Sequence, residues 1–146
     1  MSFFGGMHKF LGEVRRLDDM LLCPPRAQYE RLDNKVTQAA RKLKIPTKFF
    51  ETTNSFQTEK FTLFGFFTQP LIPSRNCIVY CHTRNASLEE AASLIAFAHE
   101  RGLGICAFDF RHHGQSGGAF SSLGFLETLD IATIEMAVAA SRKAAA

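Results

Sequence analysis

The chain has 146 residues, a length that suits one domain with a useful hydrophobic core. With 46% hydrophobic and 21% charged residues, its composition is that of an ordinary soluble globular protein. The net charge of +3 is too small to predict nucleic-acid binding, which needs a dense basic stripe.

The cysteines and the apolar runs indicate the cellular compartment. Three of the four cysteines lie inside apolar runs, where free cysteine acts as a small core residue, and none has zinc spacing. No apolar run approaches the roughly 20 residues that a membrane span needs, and the N-terminus lacks the apolar core of a secretory signal. We therefore expect a cytoplasmic protein with no transmembrane segment, no metal and no cofactor.

Residues 1–45 are predicted to form a helical lead-in. Apolar residues recur at helical spacing in its first part, at Leu11, Val14, Leu17 and Leu21. Pro24 and Pro25 end that helix. The helix either packs on the domain or lies on a membrane surface through Phe3, Phe4 and Phe10, and its mixed charge favours packing. The segment from Ala27 to Lys44 tolerates helix, and its basic residues form a solvated face.

Residues 46–146 show short apolar runs that alternate with helical patterns. Strands are predicted at Lys48–Thr53, Lys60–Thr68, Cys77–Cys81 and Gly104–Phe110, and residues 69–74 form a loop. Between the last two strands, Ser87 and Glu90 form a capping box. The helix that follows has a buried stripe of Leu88, Ala91, Ile95 and Ala98, and Gly102 ends it. A last helix is predicted from Phe125 to Arg142. This order of elements is typical of a parallel sheet with crossover helices.

Three blocks of sequence between Asn76 and Asp130 resemble the α/β-hydrolase superfamily, in particular its serine-peptidase-like and esterase-like members. The first block is a strand that ends in histidine, the second resembles Asp-x-Arg-Gly-His-Gly-x-Ser, and the third resembles Leu-Gly-aromatic-x-Glu-x-x-Asp. The residues that match are His82, Asp109, Arg111, His113, Gly114, Ser116, Leu123, Gly124, Glu127 and Asp130. Upstream, the Pro-Pro-Arg-Ala-x-Tyr segment of some members matches Pro24 to Tyr29.

The resemblance implies a fold and a set of site residues. The expected fold is α/β, an incomplete α/β-hydrolase fold in which a mostly parallel sheet has an antiparallel lead-in hairpin and flanking helices. The backbone N–H groups of Thr83 and Arg84 would form the oxyanion hole. Family members normally have glycine where Thr83 and His112 stand, so both turns depart from the pattern. The residues expected to support the loops are His82, Asp109, Arg111, His113 and Ser116, the last two through hydrogen bonds from side chain to backbone.

Gly114 to Gly118 spells Gly-x-Ser-x-Gly, the pattern of a nucleophile elbow. A true elbow has its first glycine at the strand end and its serine at a helix start, and Gly117-Gly118 is a poor helix start. All five histidines also precede Ser116, whereas the fold uses Ser, Asp or Glu, then His. A structural loop is the favoured interpretation, and an atypical hydrolase that uses Ser116 with His82 or His113 is the alternative.

Two other groups of polar residues have simpler interpretations than chemistry. Adjacent His112 and His113 with Asp109 lack the helical spacing that aims two ligands at one metal. Glu127 and Asp130 fit the first turn of a helix, where the helix dipole favours acidic residues.

The resemblance places the true elbow after one more strand, and the acid and the base histidine later still. We therefore expect a hydrolase-like chain that is truncated before the elbow and inactive alone. Its substrate, if the missing half is supplied, would be a small-molecule ester or a peptide. The alternative is a non-catalytic interaction module that self-associates through an open sheet edge. The sequence identifies neither the substrate nor the origin of the truncation.

Overall fold

The computed structural model describes residues 12, 13, 16, 20–54, 56–70 and 76–144, with side chains as far as Ser141. The expected helical stripe at Leu11, Val14 and Leu17 lies outside these residues. The expected membrane contacts of Phe3, Phe4 and Phe10 and most of the loop at residues 69–74 lie outside them as well.

The centre of the molecule is a four-stranded sheet whose strands occur in the order β1-β2-β4-β3. The strands are β1 (Thr47–Thr53), β2 (Thr62–Thr68), β3 (Cys77–Cys81) and β4 (Gly104–Phe108). β2 pairs antiparallel with β1 and with β4, whereas β3 and β4 are parallel. The α/β class, the antiparallel lead-in hairpin and the flanking helices are confirmed. We expected a mostly parallel sheet, but only one of the three pairings is parallel because the hairpin contributes half of the described strands.

The first described helix with defined ends, α1 (Lys35–Leu43), is shorter than the predicted helical segment. It begins after Asn34, whose side chain accepts a hydrogen bond of 3.0 Å from the Thr37 backbone N–H. It ends at Lys44, which has a left-handed backbone with φ of 55°. Residues 24–34 do not join this helix, and the side chains of Arg26, Tyr29 and Arg31 donate to the loop that follows β4.

The helical segment after β3 begins as a 3-10 helix, Leu88–Leu94, and continues as α2, Ile95–Glu100. Its predicted apolar stripe is confirmed, since all four side chains are buried. Gly102 ends the segment with φ of 63°, also as predicted. The capping box is half correct. The Ser87 hydroxyl accepts from the Glu89 backbone N–H at 3.3 Å, but the Glu90 carboxylate turns to Thr83.

The last helix, α3 (Glu127–Ala144), covers the other face of the sheet. Ile134 and Val138 on α3 form a cluster with Leu63, Cys106 and Phe108 on the strands. The α1 and α2 face has its own cluster, centred on Phe66 and Ile105. No helix among the described residues has the length and apolarity needed to cross a membrane.

Two features of the strands correct or extend the sequence-based predictions. Of the three cysteines predicted in the core, Cys106 is buried, Cys77 is half-buried and Cys81 is exposed, because β3 lies at the sheet edge. Since β3 and β4 are parallel neighbours, their carboxyl ends also meet at one edge of the sheet. This brings the loop after His82 beside the loop after Phe108.

Candidate active-site cleft

A cleft of about 300 Å³ opens where β3 and β4 end. Its walls come from the loops after these two strands and from the turn before α3. The lining residues are His82, Thr83, Arg84, Phe110, His113, Ser121, Leu123, Gly124 and Glu127. The cleft therefore combines all three sequence blocks that carry the resemblance.

His82 ties the two strand ends together. Its Nε2 accepts a hydrogen bond of 3.0 Å from the Phe110 backbone N–H, and its Nδ1 lies 2.7 Å from the Thr83 carbonyl oxygen. One ring nitrogen thus accepts while the other donates, which requires a neutral imidazole. Burial lowers the pKa of His82 and so favours the same state. With both nitrogens occupied, His82 supports the loops and has no free atom for proton transfer.

Glu90 holds the loop that was predicted to form the oxyanion hole. Its carboxylate accepts from the Thr83 backbone N–H at 2.8 Å and from the Thr83 hydroxyl at 2.7 Å. The Thr83 backbone hydrogen bond is the main cause of a lowered Glu90 pKa. The backbone N–H of Arg84, by contrast, has no acceptor among the described residues. Of the two predicted donors, the Arg84 N–H is thus the one for which the described part of the chain supplies no acceptor.

The Arg84 side chain contacts the N-terminal segment instead of the cleft interior. Its guanidinium donates to the backbone carbonyls of Met20 and Leu21, the second at 2.8 Å. The Ser121 backbone N–H donates to the Leu22 carbonyl at 2.6 Å, from the other side of the cleft. The segment at residues 20–22 therefore lies across the end of the cleft.

Asp109 organises the loop after β4 and is fully buried. Its Oδ1 accepts from the Leu88 backbone N–H at 2.7 Å. Its Oδ2 accepts from the Tyr29 hydroxyl at 2.5 Å and from the Gln115 backbone N–H at 2.7 Å. Burial raises the pKa of Asp109, and these three donors oppose that effect. Burial of the Tyr29 phenol raises its pKa, and the neighbouring Asp109 carboxylate raises it further.

Ser116 is buried in this loop and is fully hydrogen-bonded. Its hydroxyl donates to the Asp109 carbonyl at 2.6 Å and accepts from the Phe64 backbone N–H at 2.9 Å. Its relative exposure is 0%, so a substrate carbonyl has no access to it. This geometry matches the structural-loop interpretation of Gly-x-Ser-x-Gly and does not match that of a nucleophile.

Two backbone conformations explain the glycine pattern of the loop. Gly114 has φ of 43°, and a Cβ there would lie 2.1 Å from Asp109 Oδ2. His112 has φ of 57°, which is the left-handed region where glycine is favoured. The backbone therefore keeps this turn although His112 stands where family members have glycine. His112 Nδ1 lies 3.2 Å from the Gly118 carbonyl oxygen.

The acidic residues on α3 do more than the predicted interaction with the helix dipole. Asp130 forms a bidentate pair with Arg111, with distances of 2.7 and 3.0 Å, and both side chains are buried. The Glu127 carboxylate accepts from the backbone N–H groups of Ser122 and Gly124 at 2.8 and 2.9 Å. Burial favours a high pKa for Glu127, but these hydrogen bonds lower it below its usual value.

The sequence-based reasoning missed the role of the Pro-Pro-Arg-Ala-x-Tyr segment. Arg26 donates to the carbonyls of Ser116 and Gly118 at 2.7 and 3.1 Å, and Tyr29 binds Asp109. The similarity of this segment to a family segment was visible in the sequence. Its contact with residues 90 positions away could not be predicted, because such a contact leaves no local pattern.

His113 is the one cleft residue with an unsatisfied ring nitrogen. Its Nδ1 lies 2.8 Å from the Arg111 carbonyl, and its ring packs 5.0 Å from the His82 ring. Its Nε2 is buried and has no hydrogen-bond partner. Among the described residues, no three His, Cys, Asp or Glu side chains are grouped so that they could hold a metal ion.

Solved structures of an esterase are similar to this chain. The Pyrococcus furiosus esterase Pf2001 superposes with a TM-score of 0.61 and 26% sequence identity, over 77% of this chain. A second crystal form of that esterase gives 0.59 and 26%, over 75% of this chain. The chain has part of an α/β-hydrolase fold. It spans about 40% of the length of the esterase that it matches. No family model and no curated protein sequence matches it.

The buried ion pair below the hydrolase-fold cleft leads to a stability prediction. We expect Asp130→Ala to lower the free energy of unfolding by about 3–5 kcal/mol, because it leaves the Arg111 guanidinium buried without its partner. Asp33→Ala removes an exposed carboxylate 3.7 Å from Arg41 and should cost less than about 1 kcal/mol. Guanidinium unfolding of both variants measures this difference. Equal effects would contradict a structural role for the buried pair.

His82 leads to a prediction about pH. Because burial holds its folded pKa below the ordinary value of 6.5, the neutral ring stabilises the fold fully above pH 6.5. As the pH falls below 6.5, the unfolded chain takes up a proton that the folded chain resists, so the free energy of unfolding should fall. Protonated Nε2 could no longer accept from Phe110.

His82→Gln serves as the matched variant, since an amide can also donate to Thr83 and accept from Phe110. Urea unfolding of both proteins between pH 7.5 and 5 should show a steeper loss for the wild type. The comparison separates the effect of His82 from that of Asp109. The raised pKa of Asp109 makes the free energy of unfolding rise as the pH falls, which is the opposite effect. Parallel curves would show that His82 does not stabilise the loops as a neutral ring.

Proposed function

We propose that this chain forms the oxyanion side of a carboxylic-ester hydrolase site and lies in the cytoplasm. The observation that carries the proposal is the Arg84 backbone N–H. It belongs to the loop after β3, which lines the cleft and in which Glu90 and His82 both bind Thr83. A preorganised donor of this kind stabilises the oxygen anion that forms when an acyl group is attacked. The similarity to an esterase of known structure supports the ester as the substrate class.

The same geometry indicates that the described residues do not form a complete set of nucleophile, histidine and acid. Ser116 is buried, and His82 uses both of its nitrogens. A triad needs a nucleophile whose hydroxyl meets a histidine nitrogen, and a third group that orients that histidine. We therefore propose that the oxyanion side functions only when another polypeptide segment supplies the nucleophile, and that this chain is inactive alone.

Fluorophosphonate labelling of the purified chain tests this proposal, with the labelled residue located by mass spectrometry. We expect no labelling of Ser116 in a sample that circular dichroism shows to be folded. Ser116→Ala is the control, and an esterase with an intact triad is the positive control for the reagent. Labelling of Ser116 that disappears in Ser116→Ala would contradict the proposal and favour the atypical serine hydrolase.

A non-catalytic interaction module is the second candidate function. The observation that favours it is the position of β3, which pairs with a described strand on one side only. Such an edge can accept a strand from a partner or from a second copy. The half-buried apolar residues Ile78 and Val79 make this edge suitable for pairing.

Self-association through β3 is tested by sedimentation. We expect the wild type to form a concentration-dependent dimer and Cys81→Lys to remain a monomer, because a charge on an edge strand opposes pairing. Thr53→Lys on β1, the opposite edge of the described sheet, is the control and should still dimerise. A wild type that is monomeric at all concentrations would rule out this second candidate.

A further inference from the structure

In the described part of the chain, the charged groups that line the cleft bind other groups of the chain. Glu127 accepts from Ser122 and Gly124, and it lies 4.0 Å from the Arg111 guanidinium. The Arg84 guanidinium is bound to backbone carbonyls, and His82 is neutral. A charged ligand group would therefore lose its hydration without gaining a free partner of opposite charge.

One wall of the cleft presents an aliphatic side chain in an unusual conformation. Leu123 lines the cleft and is 57% exposed, and its φ of 57° is left-handed. This backbone is unfavourable for an L-residue with a large side chain. The hydrogen bonds from Ser122 and Gly124 to Glu127 hold the residues on either side of Leu123. The strain is thus maintained by the fold, and it places an apolar side chain on the cleft.

His113 contributes a polar feature to the cleft, in contrast to the apolar side chain of Leu123. Because its Nδ1 faces the Arg111 carbonyl, that nitrogen carries a proton, and in the tautomer with a single proton Nε2 is an acceptor. The residue is 3% exposed, and this acceptor has no partner. An unsatisfied buried acceptor destabilises a fold. Nε2 is covered in the free protein, so an O–H or N–H donor that satisfies it has to displace the neighbouring side chains of the cleft.

We propose that the cleft binds an uncharged, mainly aliphatic group that carries one hydrogen-bond donor. His113 Nε2 accepts from the O–H or N–H of this group, and Leu123 contacts its hydrocarbon part. The cleft volume of about 300 Å³ has room for a small aliphatic group. This inference rests on the proposed function and specifies its substrate as an ester with a neutral, donor-bearing aliphatic part.

Three small probes of nearly equal size test separately whether the ligand needs a hydrogen-bond donor and whether it must be uncharged. These are 1-hexanol, which is neutral and has a donor, methyl pentyl ether, which has none, and hexanoate, which is charged. Titrations are followed by NMR, through the imidazole nitrogens of His113 and the methyl groups of Leu123. We expect saturable shifts of both residues with hexanol and binding about threefold to tenfold weaker with the ether, since one uncharged hydrogen bond is lost. Hexanoate should bind no better than the ether.

Variants of the two residues test their separate roles. His113→Phe keeps an aromatic ring but no acceptor, and it should bind hexanol and the ether equally. Leu123→Gly should weaken binding of both probes and raise the melting temperature, because glycine relieves the left-handed strain. Leu32→Gly, at an exposed leucine outside the cleft, should leave both affinities unchanged. Circular dichroism confirms that each variant is folded, and the Leu123 variant tests the site even if the His113 variant unfolds.

The outcomes are distinguishable from those of the labelling experiment. Equal binding of hexanol and the ether to the wild type would overturn the role of His113 as an acceptor. Tighter binding of hexanoate would overturn the inference that the ligand is uncharged. Absence of shifts with all three probes would overturn the site, whatever the labelling shows. Labelling of Ser116 together with the expected hexanol binding would instead contradict the proposed function alone.

Discussion

The Asp109 carboxylate is the interaction on which the cleft depends. It accepts hydrogen bonds from three segments that are far apart in sequence: Tyr29 before the sheet, Leu88 after β3, and Gln115 in its own loop. The group is fully buried, so each donor offsets part of a large desolvation cost. If one donor is lost, the remaining charge is less well compensated. The positions of three segments are therefore coupled through one side chain.

This coupling explains why the loop after β4 keeps its turn although His112 replaces the usual glycine. The left-handed backbone at His112 is unfavourable by itself, but Ser116 and Arg26 fix the loop independently through the Asp109, Ser116 and Gly118 carbonyls. Several hydrogen bonds can maintain one strained residue. Gly114 has no such tolerance, because the Asp109 carboxylate occupies the space where its Cβ would lie.

The sequence predicted the fold best where periodicity is local. The strands and the buried stripe that begins at Leu88 follow from apolar spacing alone, and Gly102 follows from the backbone that ends a helix. The strand ends were less accurate. The predicted strand to Phe110 stops at Phe108. The Asp109 N–H still donates to the Phe64 carbonyl, but the Ser116 hydroxyl replaces the return bond, because it accepts from the Phe64 N–H and donates to the Asp109 carbonyl. The strand order depends on long-range pairing, which no local pattern in the sequence predicts.

The site was predicted as a set of residues, but their partners were not. Glu90 was assigned to a capping box because Ser-x-x-Glu is a local pattern. In the folded chain its carboxylate instead accepts from the backbone N–H and the hydroxyl of Thr83. Asp130 was assigned to the helix dipole, yet it pairs with Arg111 across 19 residues. In both cases a carboxylate satisfies a donor brought near it by the sheet. Spacing along a helix predicts which face a carboxylate occupies, whereas its partner depends on which strand ends at that face.

The two sides of the cleft show different degrees of preorganisation. On the β3 side, Glu90 binds Thr83 and leaves the next backbone N–H, that of Arg84, as the available donor. On the other side, the fold holds Leu123 in a strained conformation and leaves His113 Nε2 unsatisfied. Natural folds keep such costs where a ligand or a partner offsets them. The donor, the acceptor and the aliphatic wall line one cleft, so one neutral ligand could satisfy all three.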